Sequence, residues 1–429
     1  MRKIGALTIL LITAGAVVAG GYTSSKISEQ YQYEQLQTVG DLNQNLGPLN
    51  MHLLCNTHSQ WFGIVLNETC TLERLDSPLV LLEVWHRVFI TPLWLQGSFG
   101  VVPETGFILE FFDLAPLFQE QSGQWQLSVI KQQVNFTYKL GGLYSTSMPG
   151  TELSMSPITF SGYLDVNAPY KSQLSIQLTE FSADQPGQSL HLKNLHIQSN
   201  SAEVENQPFS ESTRIELGSF NSEIQGDSLA VQELSISQTN SLTENKLASF
   251  NRIDLKNLSY SREEGSLVLN SNKLHFSFEN LDWIALKQLS DRVELDVAPS
   301  PADFKNLLAK GMQFNLEGLE SSFSDLDPEG IQVGPSGDVK LNGVANLAAV
   351  DEQAEPIPMD MRLKADFKLD LSDSLLVGPQ AELIQDFIDQ GWLQQQNNRL
   401  IANIRFADGQ LLSNGQLVSG LAMFPESIE

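Results

Sequence analysis

The sequence predicts an α+β fold, mainly β, in which an extended antiparallel sheet carries a few covering helices behind an N-terminal membrane helix. Three observations point there. Past Trp125 apolar and polar residues alternate with period two, as in Trp125-Gln126-Leu127-Ser128-Val129, Leu174-Ser175-Ile176-Gln177-Leu178 and Leu274-His275-Phe276-Ser277-Phe278. Turn signals such as Gln185-Pro186-Gly187, Gln225-Gly226-Asp227 and Glu264-Gly265 separate these runs. The polar face of the runs is rich in Ser, Asn, Gln and Thr, which suits a sheet covered on one side. At the other end, Arg2 and Lys3 precede a low-polarity run from Ile4 to Gly21.

That run spans about 27 Å as a helix, close to a hydrocarbon thickness of roughly 30 Å. A basic flank left in the cytoplasm sends the rest of the chain outward. Val17-Val18-Ala19 suits a cleaved signal, whereas a run longer than the roughly 7–15 residues of a signal core favours a retained anchor. No cysteine follows closely, so a lipoprotein anchor lacks its attachment residue.

Residues 1–22 are thus taken as signal-anchor or transmembrane helix. Residues 23–122 are expected to form an N-terminal helix, Lys26 to Leu46, and an aromatic α+β subdomain with Trp61, Phe62, Trp85, Phe89 and Trp94. Gly47-Pro48 stops the helix. Residues 123–298 form an antiparallel β-rich region. Within it the segments Leu190–Ile197, Leu229–Ile236 and Ile253–Tyr260 share a pattern whose alternation slips by one residue, which suggests a β-bulge keeping both apolar pairs on one face. Residues 299–429 form a C-terminal α+β region. Its helices lie near 301–310, with Ser300 as N-cap and Pro301 in the first turn, and near 379–394; a shorter helix, Leu281 to Leu289, precedes them. Strands are expected at Met359–Leu363 and Phe367–Leu371, then a hairpin from Leu400 to Phe406 turning at Asp408-Gly409, with a further turn at Asn414-Gly415.

With 25 Lys+Arg against 51 Asp+Glu the formal charge is −26, and no basic cluster follows Lys3. A phosphate backbone needs such a cluster, so nucleic acid is excluded as a partner. Cys55 and Cys70, the 2 cysteines, are expected to pair, closing a loop worth about 3 kcal/mol in the chain-entropy model. His52 and His58 flank Cys55 and raise zinc as the alternative, but metal-site spacing is absent. No phosphate loop, nucleophile elbow, zinc-helix pair or dinucleotide fingerprint occurs, so no catalytic, cofactor or metal residue is assigned. Asp325 to Gly330 opens like a calcium loop, yet Ser336 stands where the bidentate Glu belongs. His191 and His196, five apart on a strand, point to opposite faces unless the slip intervenes. Asn67-Glu68-Thr69, Asn135-Phe136-Thr137 and Asn257-Leu258-Ser259 match the glycosylation acceptor pattern, which is short and common.

Several segments together resemble the YdgA-like (DUF945-like) family of Gram-negative envelope proteins, whose domain has no assigned function. They are the N-terminal run ending at Gly20-Gly21-Tyr22, Trp61-Phe62-Gly63, His86-Arg87-Val88-Phe89, Pro157-Ile158-Thr159-Phe160-Ser161-Gly162 and Asn403 to Leu411. Where this chain has His86-Arg87-Val88-Phe89 the family often shows His-Gly-Pro-Phe, and the cysteine pair looks like a local addition. The resemblance implies a single-pass bacterial inner-membrane protein with its bulk in the periplasm, and supplies no catalytic residues. The expected function is non-enzymatic binding of lipid or another apolar ligand for envelope maintenance, similar in outline to the β-groove proteins of the AsmA-like type. The alternatives are a scaffold or assembly factor binding another envelope protein by strand addition, and a carboxylate-based hydrolase.

Overall fold

The structure is a computed structural model and describes residues 24–60, 65–77, 79–90, 94–103, 105–107, 115–128, 131–146, 150–166, 171–204, 207–263, 265–294, 298, 300–326, 336–350, 359–377 and 381–418. The expected membrane helix at 1–22 lies outside them. Among the described residues no helix is long and apolar enough to cross a membrane. The chain is mainly β and divides into two compact units, Met1–Ser201 and Ala202–Glu429.

Unit 1 begins with helix α1, Ser24–Leu46, ended by a 3₁₀ turn at Gly47–Leu49 and a left-handed Asn50. Four strands follow, β1 Met51–Gln60, β2 Val65–Arg74, β3 Val80–Ile90 and β4 Trp94–Val101, each antiparallel to the next. After the short helix α2, Ala115–Gln119, the sheet continues through β5 Ser122–Ser128 and β6 Gln133–Leu140. The short strands β7 Leu143–Ser145 and β8 Glu152–Met155 precede β9 Ile158–Asp165, which pairs with β6. Strands β10 Ser172–Gln185 and β11 Gln188–Val204 complete the unit.

Alternation decides what is buried. On β3 His86, Val88 and Ile90 are buried while Trp85, Arg87 and Phe89 are exposed. The inward residues join Leu66, Leu95, Trp125, Leu127 and Val134 under Tyr31 of α1 in one core. Residues 51–101 therefore form a β-meander capped by the helix α1. The ladder β4–β5 runs straight through the expected boundary at 122/123, because Phe99 pairs with Gly123 and Leu95 with Leu127. Nor is there a turn after His86, since residues 86–89 are interior to β3.

Unit 2 is built on long strands that follow sequence order: β12 Gln207–Ile224, β13 Asp227–Thr243, β14 Lys246–Arg262, β15 Gly265–Asp282, β16 Met312–Leu326, β17 Gly337–Leu347 and β18 Leu363–Ser372. Each is antiparallel to the next. Strand β19, Gln394–Gln396, flanks β20 Arg399–Ala407, which pairs with β18. The short β21 Gln410–Ser413 and β22 Gln416–Leu417 close the sheet. Tight turns use left-handed residues, Gln225-Gly226, Asp408-Gly409 and Asn414-Gly415 as expected, and also Glu244-Asn245 and Asn397-Asn398.

Helices α3 Trp283–Glu294 and α4 Pro301–Ala309 interrupt the strands between β15 and β16. Helix α3 extends five residues beyond the expected Leu289. The carboxylate of Asp282 starts it by accepting from the amides of Ile284 and Ala285. Ser300 and Asp303 form a capping box at the start of α4, where the Ser300 amide donates to Asp303 at 2.7 Å. Because β15 and β16 pair across these helices, the sheet also runs through the expected boundary at 298/299.

Met359–Arg362 is one helical turn, α5, and not a strand. The Arg362 guanidinium donates to the carbonyls of Ala348 and Leu308, holding that turn against the end of β17, and pairing begins only at Leu363. The expected helix at 379–394 is the shorter α6, Ala381–Asp389, because Gly391 takes a left-handed conformation and Leu393 turns inward.

The one-residue slip is present but is not a bulge. Leu234 pairs with Leu255 and Gln232 with Asn257, so Glu233 and Lys256 leave the ladder together and the register is unchanged. Glu233 is left-handed, as are Asn194 at the same point of β11 and Ser271 of β15. At Asn194 and Glu233 the left-handed residue breaks the alternation without inserting a residue, with ion pairs Glu180–Lys193 and Glu233–Lys256 at these points, whereas at Ser271 the register with β16 also shifts by one residue.

Candidate functional site

The pairing of unit 2 lines up the apolar positions of successive strands. Ile215 lies opposite Ile236, then come Ile253, Leu274, Leu319, Leu341, Leu369 and Ala402, one from each of β12–β18 and β20. Eight strands spaced about 4.8 Å apart make this row about 34 Å long. Toward β20 it is closed: Ile384 and Ile388 of α6 pack on Leu369, Leu371, Leu400 and Ala402. From Ile215 to Leu369 every member is only half-buried and Ala402 alone is buried, whereas the core of unit 1 is sealed to within a few per cent. Apart from Leu247, no apolar residue of β12, β13 or β14 is buried among the described side chains.

Two further rows widen this face in the middle of the sheet. Phe276 pairs with Leu316, Gly343 and Phe367 in turn, and Phe278 with Phe314 and Ala345. The rings of Phe278 and Phe314 are 5.1 Å apart, and Phe276 lies 5.7 Å from Phe278 and 6.3 Å from Phe314. Phe367 joins them at 6.5 Å from Phe314. Gly343 permits this: a Cβ there would lie 2.3 Å from the Phe367 ring, so only glycine lets that ring lie across β17. Each of these four aromatics remains half-buried.

A second cluster, polar and buried, lies in unit 1. The indole N–H of Trp125 donates to Nε2 of His86 at 2.8 Å. Nδ1 of His86 lies 3.3 Å from both Oε2 of Glu68 and the hydroxyl of Tyr31. All four residues are buried. Since Nε2 accepts, the neutral imidazole carries its proton on Nδ1, directed at Glu68 and Tyr31. Burial, reinforced by the Glu68 charge, pushes the Tyr31 hydroxyl well above the usual phenol range, so it stays protonated. Gly97 makes the Trp125 contact possible, because a Cβ there would stand 2.0 Å from the indole nitrogen. With no opening to solvent, this cluster acts as a clasp between α1 and the sheet.

Cys55 and Cys70 stand directly opposite each other on β1 and β2, with sulfurs 2.06 Å apart. Their sulfurs and the Glu68 carboxylate come within 4.8 Å of one another, but bonded sulfurs offer no thiolate to a metal. His52 and His58, three residues to either side of Cys55, fall on the opposite face of β1. Nε2 of His52 lies instead 3.9 Å from Glu73. His191 and His196 are not brought together as ligands either: one meets Asp184 at 3.1 Å and the other Ser175 at 3.1 Å. The expected acidic loop beginning at Asp325 falls mostly outside the described residues, with Asp325 itself in β16. An open cleft of about 540 Å³ beside α6 is lined mostly by glutamines and contains one carboxylate, Asp389.

Residues 132–419 match the family described as "Bacterial protein of unknown function (DUF945)", from one residue before β6 to just past β22. The chain belongs to the DUF945 family. The matched span holds the whole apolar face of unit 2 and leaves out α1, the cysteine pair and His86. No curated protein and no solved structure matches this DUF945 chain.

Sequence alone did not single out the four phenylalanines or the His86 clasp. Alternation marks Phe276, Phe278 and Phe314 as facing one way, but whether anything covers them is decided by where the helices land. His86 and Trp125 are 39 positions apart with no shared motif.

Proposed function

We propose that this is a single-pass inner-membrane protein whose periplasmic part holds acyl chains on the apolar face of unit 2, for envelope maintenance and without catalysis. The observation that carries the reading is the row from Ile215 to Leu341, half-buried through six strands, with α6 packed at its β20 end. Exposed apolar surface costs about 25 cal/mol per Å², and contiguous patches of this kind mark interaction sites. At about 34 Å the row exceeds the roughly 15 Å reached by the chains of one leaflet. Ten methylenes laid on it would gain about 8 kcal/mol before immobilisation is counted. The N-terminal run from Ile4 to Gly21 and the family's bacterial setting support the address.

A phospholipid bearing a diazirine in its acyl chain, incorporated with the full-length chain in vesicles and irradiated, tests this. Label is expected on peptides containing Phe276–Phe278, Phe314 and Leu341. Label confined to unit 1, or to the N-terminal segment, would refute the reading.

A further inference from the structure

Helix α1 has a measurable direction along the sheet of unit 1. The Asn43 side chain brackets Leu53, donating to its carbonyl at 2.9 Å and accepting from its amide at 2.6 Å. Further toward the N-terminus, Gln35 accepts from the hydroxyl of Thr57 at 3.5 Å. Eight helical residues cover about 12 Å and four strand residues about 13 Å, so α1 runs antiparallel along β1. The eleven residues from Gln35 back to Ser24 add about 16 Å. This carries the start of α1 just past Gln60, at the level where the ladders align Gln60, Val65, Phe89 and Gln96.

That end of the sheet has an unusual surface. Phe89 is 43% exposed, and its ring lies 5.6 Å from that of Trp94. Arg87 is exposed one alternation away. Although the chain has 51 Asp+Glu, none falls at 58–60, 65–67, 87–90 or 94–98, the residues forming this end of β1–β4. An aromatic pair with a cation and no carboxylate matches the headgroup layer of a bilayer, where amphipathic rings settle and anionic lipids attract basic groups. In sequence, two residues separate the apolar run Ile4–Gly21 from the start of α1 at Ser24.

We propose that the β1–β4 end of unit 1 rests on the membrane surface, with Phe89 and Trp94 seated among the lipid headgroups. The inference rests on the membrane-anchor reading above and adds the surface that meets the bilayer. Docked there, unit 1 holds a fixed face toward the membrane instead of swinging on its anchor.

The test uses the full-length chain in vesicles of phosphatidylethanolamine and phosphatidylglycerol containing lipid brominated near the headgroup or near the chain end. Shallow bromine is expected to quench wild-type emission more than deep bromine. Trp94→Phe should lose that difference by roughly one tryptophan of the 6 in the chain. Phe89→Ala, which keeps Trp94, should reduce the shallow quenching at least twofold. Equal quenching of wild type and Trp94→Phe, in vesicles that carry the protein through flotation and alkaline extraction, would overturn the docking surface alone. Failure of the wild type to float with the vesicles would overturn the anchor reading, and the inference with it.

Discussion

The Phe314→Asp chain is expected to keep its strands paired and to lose bound lipid by more than tenfold. Phe314 stands at the centre of the aromatic cluster, within 5.1 Å of Phe278 and 6.5 Å of Phe367 by ring centroid. It is half-buried, so the fold loses only part of an aromatic contact, about 1–3 kcal/mol. For an acyl chain lying on that face the change is larger. A carboxylate must shed water to let a chain pass over it, at several kcal/mol, and 1.4 kcal/mol is already tenfold in occupancy. Phe314→Leu keeps the surface apolar and should retain most of the lipid. The check is lipid phosphorus per mole of purified protein, with circular dichroism to confirm the strands. Full lipid content in Phe314→Asp would place the lipid elsewhere.

His86→Ala is expected to cost unit 1 about 3–5 kcal/mol, because it leaves two buried polar groups without a partner at about 1–3 kcal/mol each, more where the group is a carboxylate. The His86 and Glu68 side chains are 3% and 4% exposed, so the carboxylate left behind has no route to water. The Trp125 N–H loses its acceptor as well, which adds the penalty of an unmade buried hydrogen bond. The Tyr31 hydroxyl loses its imidazole partner while its ring stays in the core, so α1 should loosen first. Urea unfolding followed by tryptophan emission should show an early transition for unit 1, with amide exchange rising in α1. Trp125→Phe keeps an aromatic ring but removes the indole donor and leaves a small cavity, and should cost about 2–4 kcal/mol. A midpoint for His86→Ala within error of wild type would mean that the clasp contributes nothing to stability.

The pattern of strands was legible because alternation, turn residues and capping residues act locally. Gln225-Gly226 turns as its residue types require, and Ser300 with Asp303 caps α4 where a Ser-Pro start announced a helix. Expectation failed where a distant partner decides. Met359–Arg362 alternates like a strand, but Arg362 reaches carbonyls on two other segments and curls it into a helical turn. The expected domain boundaries at 122/123 and 298/299 followed changes in composition, whereas hydrogen-bond ladders carry the sheet across both. The slip was visible in sequence, yet its form was not, because only the partner strand shows that Glu233 and Lys256 drop out together. For the candidate site the limit was similar. Periodicity marks Ile215, Ile236 and Ile253 as facing one way, but that α6 lands at the Ala402 end of the row is a fact of packing.

Lipid on the apolar face in the cell is what separates an acyl-chain carrier from a partner-binding scaffold. Mass spectrometry of lipids co-purified with the detergent-extracted full-length chain, against a mock purification from the same membranes, tests this most directly. Phospholipid or free acyl chains near one per protein, absent from the mock and from Phe314→Asp, is the result the account predicts. A stable wild-type protein carrying no lipid above the mock would contradict it, and would leave the face to a protein partner.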